Sequence, residues 1–402
     1  MATENKKYIP ALRFPEFQND GEWEADTMET IFDIKNGYTP SKSNPSFWDN
    51  GTIPWFRMED IRKNGHILSD SIQHVTPSAV KNAGLFPAYS IIVATTATIG
   101  EHALIIVDSL ANQQFTFLTK RKSFDNKLDM MYFHYFMFII DEWCKKNTNA
   151  GGLLSVNMDS FKKLTIPYPS SLSEQKKIAD CFVSIDKEID ATKRKLELLK
   201  EHKKGLMQRL FPAKGKTTPE LRFPEFQNDG EWVPRPLSDI LNYEQPTPYI
   251  VEDDTYKKEG TPVLTANKGF ILGYTDESFG IYNKLPVIIF DDFTTDKKYV
   301  DFSFKIKSSA IKLLTLKDEE RDNLRFIFEC MSNIVFEEKE HKRYYISEYQ
   351  HINIYVPSSL QEQNQIADTL LSVDKQISEY DKKIKALELR KKGLMQQLFP
   401  KL

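Results

Sequence analysis

The sequence predicts a mixed α/β protein with a pseudo-two-fold internal repeat, in which two long helices forming an antiparallel coiled coil separate two globular domains. The segment LRFPEFQNDGEW occurs identically at Leu12–Trp23 and Leu221–Trp232. A 44-residue element recurs at Pro169–Pro212 and Pro357–Pro400 with 24 identical positions. Because self-similarity at a long period marks a repeated structural unit, the chain alternates between variable and repeated parts.

The 44-residue element has the residue spacing of a coiled coil. Its apolar side chains alternate at intervals of four and three over about five heptads in both copies. The predicted seam residues are Ile178, Ile185, Ile189, Leu196 and Leu199 in the first copy and Ile366, Val373, Ile377, Ile384 and Leu387 in the second. The matching registers favour pairing of the two helices. The alternative is that each helix packs on its own neighbouring domain as an ordinary amphipathic helix.

Each helix also carries a start signal. The first copy opens with Ser171-x-x-Glu174 and the second with Ser359-x-x-Glu362, the pattern of a capping box. Ser173–Leu210 spans 38 residues, which corresponds to a rod on the order of 57 Å.

The two variable stretches mix short apolar runs with turns, which is typical of α/β domains. Predicted strands are Ser90–Gly100, His102–Val107, Leu285–Phe293 and Ala310–Leu316, and predicted helices lie at Asp129–Ile140 and near Asn323–Val335. The resulting division is a first domain over residues 1–166, a first helix over 167–212, a second domain over 213–356 and a second helix over 357–402.

Composition narrows the class of protein. The net charge of −3 gives no global sign of a polyanionic partner. The apolar stretch Met130–Ile140 is too short to cross a bilayer. Three scattered cysteines form no disulfide framework, and no His or Cys pair has metal-ligand spacing. We therefore expect a cytoplasmic protein without a membrane span or a structural metal.

Catalytic motifs are not found. The sequence has no P-loop and no GxGxxG. Asn44–Phe47 is partly similar to a tetrapeptide of amino-methyltransferases, and Asp291, Asp292, Asp296 and Lys298 have part of the pattern of a nuclease site. The simpler interpretations are a turn and a polar loop, so the alternative of a stand-alone methyltransferase or nuclease is the less favoured one.

Several loops carry residues suited to a nucleic acid, because Lys and Arg bind phosphates while Asn, Gln and Arg can read base edges. In the first domain they are Tyr38, Lys42, Arg57, Thr95, Thr96, Asn112, Gln113 and Gln114. In the second they are Thr265, Asn267, Lys268, Lys297, Lys298, Tyr299, Lys305, Lys307, Lys342 and Arg343. Among these, Lys297, Lys298, Lys305 and Lys307 are predicted to meet phosphates, and Asn267 and Arg57 to reach base edges.

The whole chain resembles the specificity subunits of Type I restriction-modification systems. The most specific matches are in the helix copies, at Glu174-Gln175 with Ile178-Ala179 and at Glu362-Gln363 with Ile366-Ala367. Gly37–Ser41, Ile53–Trp55 and Asn112-Gln113 are similar to recurring elements of the target recognition domains of that family.

The resemblance implies a non-catalytic subunit that binds double-stranded DNA and selects the sequence for two modification subunits and, in the nuclease form, for restriction subunits. It implies no cofactor in this chain: S-adenosylmethionine would bind the modification subunit, and ATP and Mg would bind the restriction subunit. Each domain would read one half-site, with centres roughly one duplex turn of ~34 Å apart. A third hypothesis, a coiled-coil adaptor for other proteins, predicts no sequence-selective duplex binding.

Overall fold

The structure is a computed structural model that describes residues 8–81, 84–149, 154–267, 269–337 and 342–402. The chain forms two compact units. The first contains the described residues up to Thr192 together with Lys383–Leu402, and the second is Lys193–Lys382. Each long helix therefore begins in one unit and ends in the other.

The first variable stretch folds into ten strands and four short or medium helices among its described residues, and the first long helix follows. In chain order they are β1 (Glu24–Thr27), α1 (Met28–Ile31), β2 (Phe32–Asn36), β3 (Ile53–Phe56), α2 (Met58–Asn64), β4 (Ile67–Leu68), β5 (His74–Val75), β6 (Ser90–Ala94), β7 (His102–Ile105), β8 (Leu110–Ala111), β9 (Phe115–Lys120), α3 (Met130–Lys146), α4 (Met158–Lys162), β10 (Thr165–Tyr168) and α5 (Leu172–Leu210).

The second variable stretch repeats this order of elements with fewer helices in its described part. The elements are β11 (Val233–Pro236), α6 (Leu237–Ile240), β12 (Leu241–Glu244), β13 (Thr261–Leu264), β14 (Ile271–Thr275), β15 (Val287–Asp291), β16 (Lys297–Val300), β17 (Lys305–Ile306), β18 (Ile311–Leu316), α7 (Leu324–Ser332), β19 (Asn353–Val356) and α8 (Leu360–Leu398).

The sheets show that the two domains share one topology. The first has the sheets β2-β9-β6-β7-β4, β5-β3-β8 and β1-β10, and the second has β12-β18-β15-β16, β14-β13-β17 and β11-β19. The strand order is the same, and the first domain adds β4 at one edge. The prediction of a mixed α/β fold present twice is therefore confirmed.

Local differences from the predicted elements have a backbone cause. The predicted strand Ser90–Gly100 ends at Ala94, because Ala97 and Gly100 adopt positive φ angles of 62° and 90° that break the extended ladder. The predicted helix near residue 130 runs further, to Lys146. The Asp129 carboxylate accepts the Met131 and Tyr132 amides at 2.9 Å and so caps its start.

In the first unit, the start of α5 pairs with the end of α8. The rings of Phe182 and Phe399 are 5.7 Å apart, Asp186 lies 2.6 Å from Lys391, and Glu188 lies 3.0 Å from Lys383. The partners descend in number as α5 ascends, so the two segments are antiparallel.

The second unit contains the reciprocal pair, made by the end of α5 and the start of α8. Lys203 lies 2.8 Å from Asp374, and Leu210 shares a buried cluster with Ile366 and Leu370. The predicted seam residues are buried in both units, except that Ile377 is partly exposed. Each helix start also packs on its own domain, because Phe182 shares a buried cluster with Tyr132 and Leu370 shares one with Phe326. Both packing modes considered from the sequence therefore occur together.

The repeated twelve-residue segment fastens each helix start. Arg13 binds Glu174 through two contacts of 2.7 Å, and Arg222 binds Glu362 through two contacts of 2.8 Å. Ser359 Oγ accepts the Glu362 amide at 3.3 Å, as a capping residue should. The rest of the predicted capping box is wrong: Ser171 Oγ pairs with Ser173 Oγ instead, and both glutamates bind an arginine rather than the backbone amide of the N-cap serine.

Backbone bonds join the same segment to the ends of the helices. The Leu12 amide donates to Gln397 O at 2.9 Å in the first unit, and the Leu221 amide donates to Arg209 O at 2.8 Å in the second. Each copy of the segment therefore bridges the start of one long helix and the end of the other. Among the described residues, no helix has the length and apolarity needed to cross a membrane.

Three histidines lie together within the first domain. The ring of His102 is 5.6 Å from that of His66 and 5.4 Å from that of His134. Burial, with a smaller contribution from His66, lowers the pKa of His102 to about 3, and burial lowers the pKa of His134 well below its usual value. Both are therefore neutral in the folded protein.

This cluster predicts acid sensitivity. The pKa of His102 in the folded chain is below its unfolded value of about 6.5, so its contribution to stability is complete above pH 6.5 and declines, by up to about 1.4 kcal/mol per pH unit, as the pH falls towards 3. The lowered pKa of His134 acts in the same direction. We expect the melting temperature of His134→Leu to fall less than that of the native chain between pH 7 and pH 5. The exposed His202→Leu serves as control, and equal slopes for both variants would refute the assignment.

Candidate nucleic-acid interface

In the first domain, predicted DNA-binding residues meet at one edge of a parallel strand pair. Trp55 of β3 pairs with Leu110 of β8 in parallel register, and the Asn112 amide donates to Phe56 O at 3.1 Å. Arg57 follows β3 and Asn112 follows β8, so both stand at the same carboxyl edge. Parallel pairing thus brings together two residues that are far apart in the sequence.

The loop from Gly37 to Thr39 is held against this edge. The Tyr38 amide donates to Ala111 O at 2.8 Å, and a Cβ at Gly37 would lie 2.4 Å from the same oxygen. Only glycine allows this approach of the two backbones. Thr39 Oγ1 then donates to the exposed Gln113 side-chain oxygen.

Several of the predicted side chains are already engaged within the domain. The Tyr38 hydroxyl donates to Ala79 O at 3.2 Å and accepts the Lys81 amide at 3.0 Å. Thr95 is buried, with its hydroxyl 3.1 Å from that of Thr116. Tyr38 and Thr95 therefore shape the loops, and their direct contact with DNA is not supported by this arrangement.

The remaining candidates of the first domain present polar groups outwards. Lys42 and Gln113 are exposed, whereas Arg57, Thr96, Asn112 and Gln114 are partly exposed. Asn112 Oδ1 accepts the Gln114 amide at 3.2 Å and keeps its NH₂ group for other partners. The Arg57 guanidinium lies 3.0 Å from Glu59 and 5.9 Å from the centre of the Trp55 ring.

The second domain builds an equivalent edge from different residues. β13 and β17 run parallel, and the Lys307 amide donates to Leu264 O at 3.1 Å, as Asn112 does to Phe56. Thr265 and Lys307 thus occupy the places of Arg57 and Asn112. Asn267 is exposed, and its Oδ1 accepts the Thr294 hydroxyl at 3.4 Å. Lys268 lies outside the described residues.

One predicted phosphate contact conflicts with the structure. Lys305 is fully buried, ion-paired with Glu277, and donates to Phe279 O at 3.0 Å. Lys305 is paired across the strands with Val263 of β13, which is fully buried, so its side chain points into the domain. Lys305 therefore stabilises the second domain and does not present its charge to a duplex.

The other basic candidates differ in exposure. Burial lowers the pKa of Lys297, which lies 5.5 Å from the centre of the Tyr349 ring. Lys298 is partly exposed, and Tyr299 packs against Phe328 with ring centres 5.9 Å apart. Three are more open: Lys307 pairs with Asp254 at the surface, Lys342 lies 2.7 Å from Glu348, and Arg343 stacks 5.8 Å from Phe293.

These positions predict different outcomes for two neighbouring lysines. Lys307→Ala should weaken binding to all DNA sequences and flatten the salt dependence by about one unit. Lys305→Ala should instead lower the melting temperature, because it leaves the Glu277 carboxylate without its buried partner. Binding measured over a range of salt concentrations, with melting curves for both variants, checks this. A lower salt slope for Lys305→Ala at unchanged stability would contradict it.

The residues considered for catalysis have structural partners. Asn44 Oδ1 accepts the Ser46 amide at 3.2 Å and starts a short turn, as the simpler interpretation predicts. Asp291 accepts the Phe293 amide at 2.9 Å, and Asp292 lies 3.3 Å from Lys312 in a buried ion pair. Within the described ranges, no group of three or more His, Cys, Asp or Glu side chains could hold a metal ion.

Some residues that arrange this edge are not predicted from the sequence. Gly37 and Thr39 lie within the Gly37–Ser41 element, but neither is among the predicted DNA-binding residues. A glycine in a loop is a signal of close backbone approach. Asn36 was also missed, and its Oδ1 accepts the Thr116 hydroxyl at 2.9 Å. None of these contacts could be located before the pairing of β2, β8 and β9 was known.

The model of one protein family, the Type I restriction modification DNA specificity domain, matches residues 20–201 and again residues 229–389. The chain belongs to the specificity subunits of Type I restriction-modification systems. The two matches correspond to the two domains with their helices, so this specificity subunit carries the family domain twice.

Known relatives agree with this assignment. The specificity subunit is 49% identical over 152 residues to the Escherichia coli Type I restriction enzyme EcoprrI specificity subunit, a match that covers 38% of each chain. It is 49% identical over 132 residues to the Escherichia coli EcoR124I/EcoR124II specificity subunit, covering 32% of each chain. A Methanocaldococcus jannaschii relative, the MjaIX specificity subunit, is 23% identical over 331 residues, covering 78% of this chain and 73% of its own. The chain thus spans about two fifths or less of the length of the first two relatives.

A solved structure extends the likeness over the whole fold. The S subunit of a Type I restriction-modification system from M. genitalium superposes with a TM-score of 0.67 at 15% identity, covering 98% of this chain and 99% of that one. The fold of the specificity subunit is therefore shared along its length.

Proposed function

We propose that this specificity subunit is a non-catalytic reader of a two-part DNA target. Each domain reads one half-site with its parallel-strand edge, and the helices set the spacing between the half-sites. The observation that carries the proposal is the equivalence of the two edges. One topology presents Arg57, Asn112 and Gln113 in the first domain and Thr265, Asn267 and Lys307 in the second.

Different side chains at equivalent places are what two unlike half-sites require. Arg, Asn and Gln can form paired hydrogen bonds with base edges, and a good pair discriminates by roughly 1–3 kcal/mol. Lys42, Lys307, Lys342 and Arg343 supply charge for the phosphates that flank such contacts. The recognition surface thus combines sequence reading with positioning on the duplex.

The catalytic partners are part of the same proposal. Two modification subunits bind the outer faces of the helices and the adjoining domain surfaces, and they methylate adenine with S-adenosylmethionine. Restriction subunits, using ATP and Mg, add cleavage. The relatives are named as specificity subunits of restriction enzymes, which supports this division of labour. The complex acts in the cytoplasm, where the host DNA lies.

The deciding experiment maps methylated adenines across the genome of a host that carries this chain with its modification partner. A motif of two fixed parts around an unread spacer is the expected result. Exchange of residues 24–166 for the corresponding domain of a relative should then change one part and leave the other intact. A continuous motif, or a change in both parts, would contradict independent readers.

The rival assignment is tested with the chain alone. Cofactor-dependent or metal-dependent turnover by the purified protein without partners would favour a methyltransferase or a nuclease. The absence of sequence-selective duplex binding, even with partners present, would favour a protein adaptor.

A further inference from the structure

Two aspartates hold equivalent places beside the seam of the helix pair. Asp186 in α5 and Asp374 in α8 occupy the same position of the repeated element. Asp186 lies 2.6 Å from Lys391, and Asp374 lies 2.8 Å from Lys203. The two lysines are themselves equivalent and stand at seam positions where the heptad pattern otherwise places an apolar residue.

Each aspartate also contacts the domain that its unit contains. In the first unit, the Tyr135 hydroxyl of α3 donates to Asp186 at 2.9 Å. In the second unit, Arg325 of α7 forms an ion pair with Asp374. The two domains, whose sequences differ, thus contact two equivalent carboxylates with different donors. Each carboxylate connects its own helix with the other helix and with the domain of its unit.

We call each aspartate with its lysine and its donor from the domain a joint. The joint around Asp374 contains more charged side chains than the joint around Asp186. Arg325 also lies 2.8 Å from Glu329, and Lys203 lies 3.6 Å from the same buried carboxylate. Two cations and two anions therefore alternate at this place. In the first unit, the Lys391 ammonium lies 5.4 Å from the centre of the Tyr135 ring, which adds a cation–π contact.

These lysines favour one alignment of the helices. A shift of one heptad in one direction would place Lys391 opposite Lys193 and Lys203 opposite Asp381, so one of the two ion pairs is lost. A shift in the other direction would place the two lysines opposite Ala179 and Ala367, so both ion pairs are lost. Parallel pairing in register would place Lys203 beside Lys391. A charged residue at a seam position is a known means of specifying register at some cost in stability.

The physical character of the joint differs from that of the surrounding core. Apolar packing is non-directional, whereas a carboxylate that accepts from two elements fixes both in angle as well as distance. A partly buried ion pair contributes little net stability against its desolvation cost. The ion pair instead disfavours other alignments of the helices, because these would leave its charges without partners.

We propose that Asp186 and Asp374 are positioning residues that fix how each domain is mounted on its helix pair, and that this mounting restricts the DNA target to one spacer length. This inference rests on the proposed function. One base pair more or less in the spacer rotates a half-site by roughly 35°, since B-DNA has about 10–10.5 base pairs per turn. A domain held at a fixed angle cannot follow that rotation.

The test compares the double variant Asp186→Asn, Asp374→Asn with the native chain, each assembled with its modification partner. Binding is measured on the mapped target, on targets whose spacer is one base pair longer or shorter, and on targets with one changed base in a half-site. For the variant, we expect the preference for the native spacer to fall about tenfold or more, with the preference for the native bases unchanged.

The matched control is Asp180→Asn, Asp368→Asn, because these two aspartates are equivalent, exposed and on the same helices. It should keep the native spacer preference. Tyr135→Phe removes one donor without changing any charge, and it keeps the test available should the aspartate variant not fold. It should relax the spacer preference to a smaller extent.

An unchanged spacer preference in both variants would overturn the proposal. Equal loss of the spacer and base preferences would also overturn it, since that result indicates a general structural defect. Failure of the proposed function looks different, because the native complex itself would then show no sequence-selective binding.

Discussion

Replacement of Ile189 by Asp is expected to abolish cooperative folding of the first unit. Ile189 is 6% exposed and lies in the cluster that also holds Leu387 and Phe399. Loss of such a side chain typically costs about 2–5 kcal/mol, and an unpaired carboxylate in its place adds several more. The sum is comparable with the whole stability of a domain, about 5–15 kcal/mol. Thermal unfolding followed by circular dichroism measures the effect.

The equivalent substitution in the other helix is the natural comparison. Ile377 is partly exposed, so the carboxylate of Ile377→Asp can reach water, and we expect a smaller loss of stability. If both variants melted like the native chain, the pairing of the helices would not be required for the fold.

Replacement of Arg222 by Ala is expected to destabilise the second unit by about 3–5 kcal/mol. Arg222 binds Glu362 with two contacts of 2.8 Å, and the Glu362 side chain is only 1% exposed. Without Arg222 the carboxylate still accepts a hydrogen bond of 3.3 Å from the Trp232 indole. A buried anion without its cation carries most of its desolvation cost uncompensated.

Arg209→Ala provides the control for this variant. Arg209 pairs with Glu220 at 3.1 Å, but the two side chains are 53% and 74% exposed. Exposed ion pairs contribute about 0–1 kcal/mol, so its melting temperature should stay close to native. A similar, small effect of both substitutions would contradict the role assigned to the buried pair.

The features that the sequence could predict depend on the heptad spacing of apolar residues or on the identity between the two copies of the repeated element. The seam from Ile178 to Leu199 follows from the heptad spacing, and the repeated α/β fold follows from the two copies of one element. The antiparallel direction of the helices is implied by the family resemblance, because matching registers are compatible with either direction of pairing. The partial exposure of Ile377 could not be foreseen, because it depends on what covers each heptad from outside. Each helix start packs both on its own domain and on the other helix, and this double packing likewise becomes visible only in the tertiary structure.

Side-chain roles were predictable only in part, for a physical reason. Lys305 and Lys307 are two residues apart, and the sequence predicts phosphate binding equally for both. The strand turns Lys305 to Glu277 and leaves Lys307 near the surface. Glu174 and Glu362 also fit the capping-box pattern. They bind Arg13 and Arg222 instead, because a hydrogen bond between two charged groups is stronger than one to a neutral backbone amide.

The division of each long helix between two units has a consequence for the order of synthesis. The second unit is one continuous segment, Lys193–Lys382. The first unit consists of two segments, and the later one, Lys383–Leu402, contains the buried Phe399. A nascent chain leaving the ribosome thus supplies a complete second unit before it can close the first. In most multidomain proteins the N-terminal domain folds first. In this chain we expect the first unit to close later than the second, because Phe399, which packs against Tyr132 and Phe136, is synthesised only after α8.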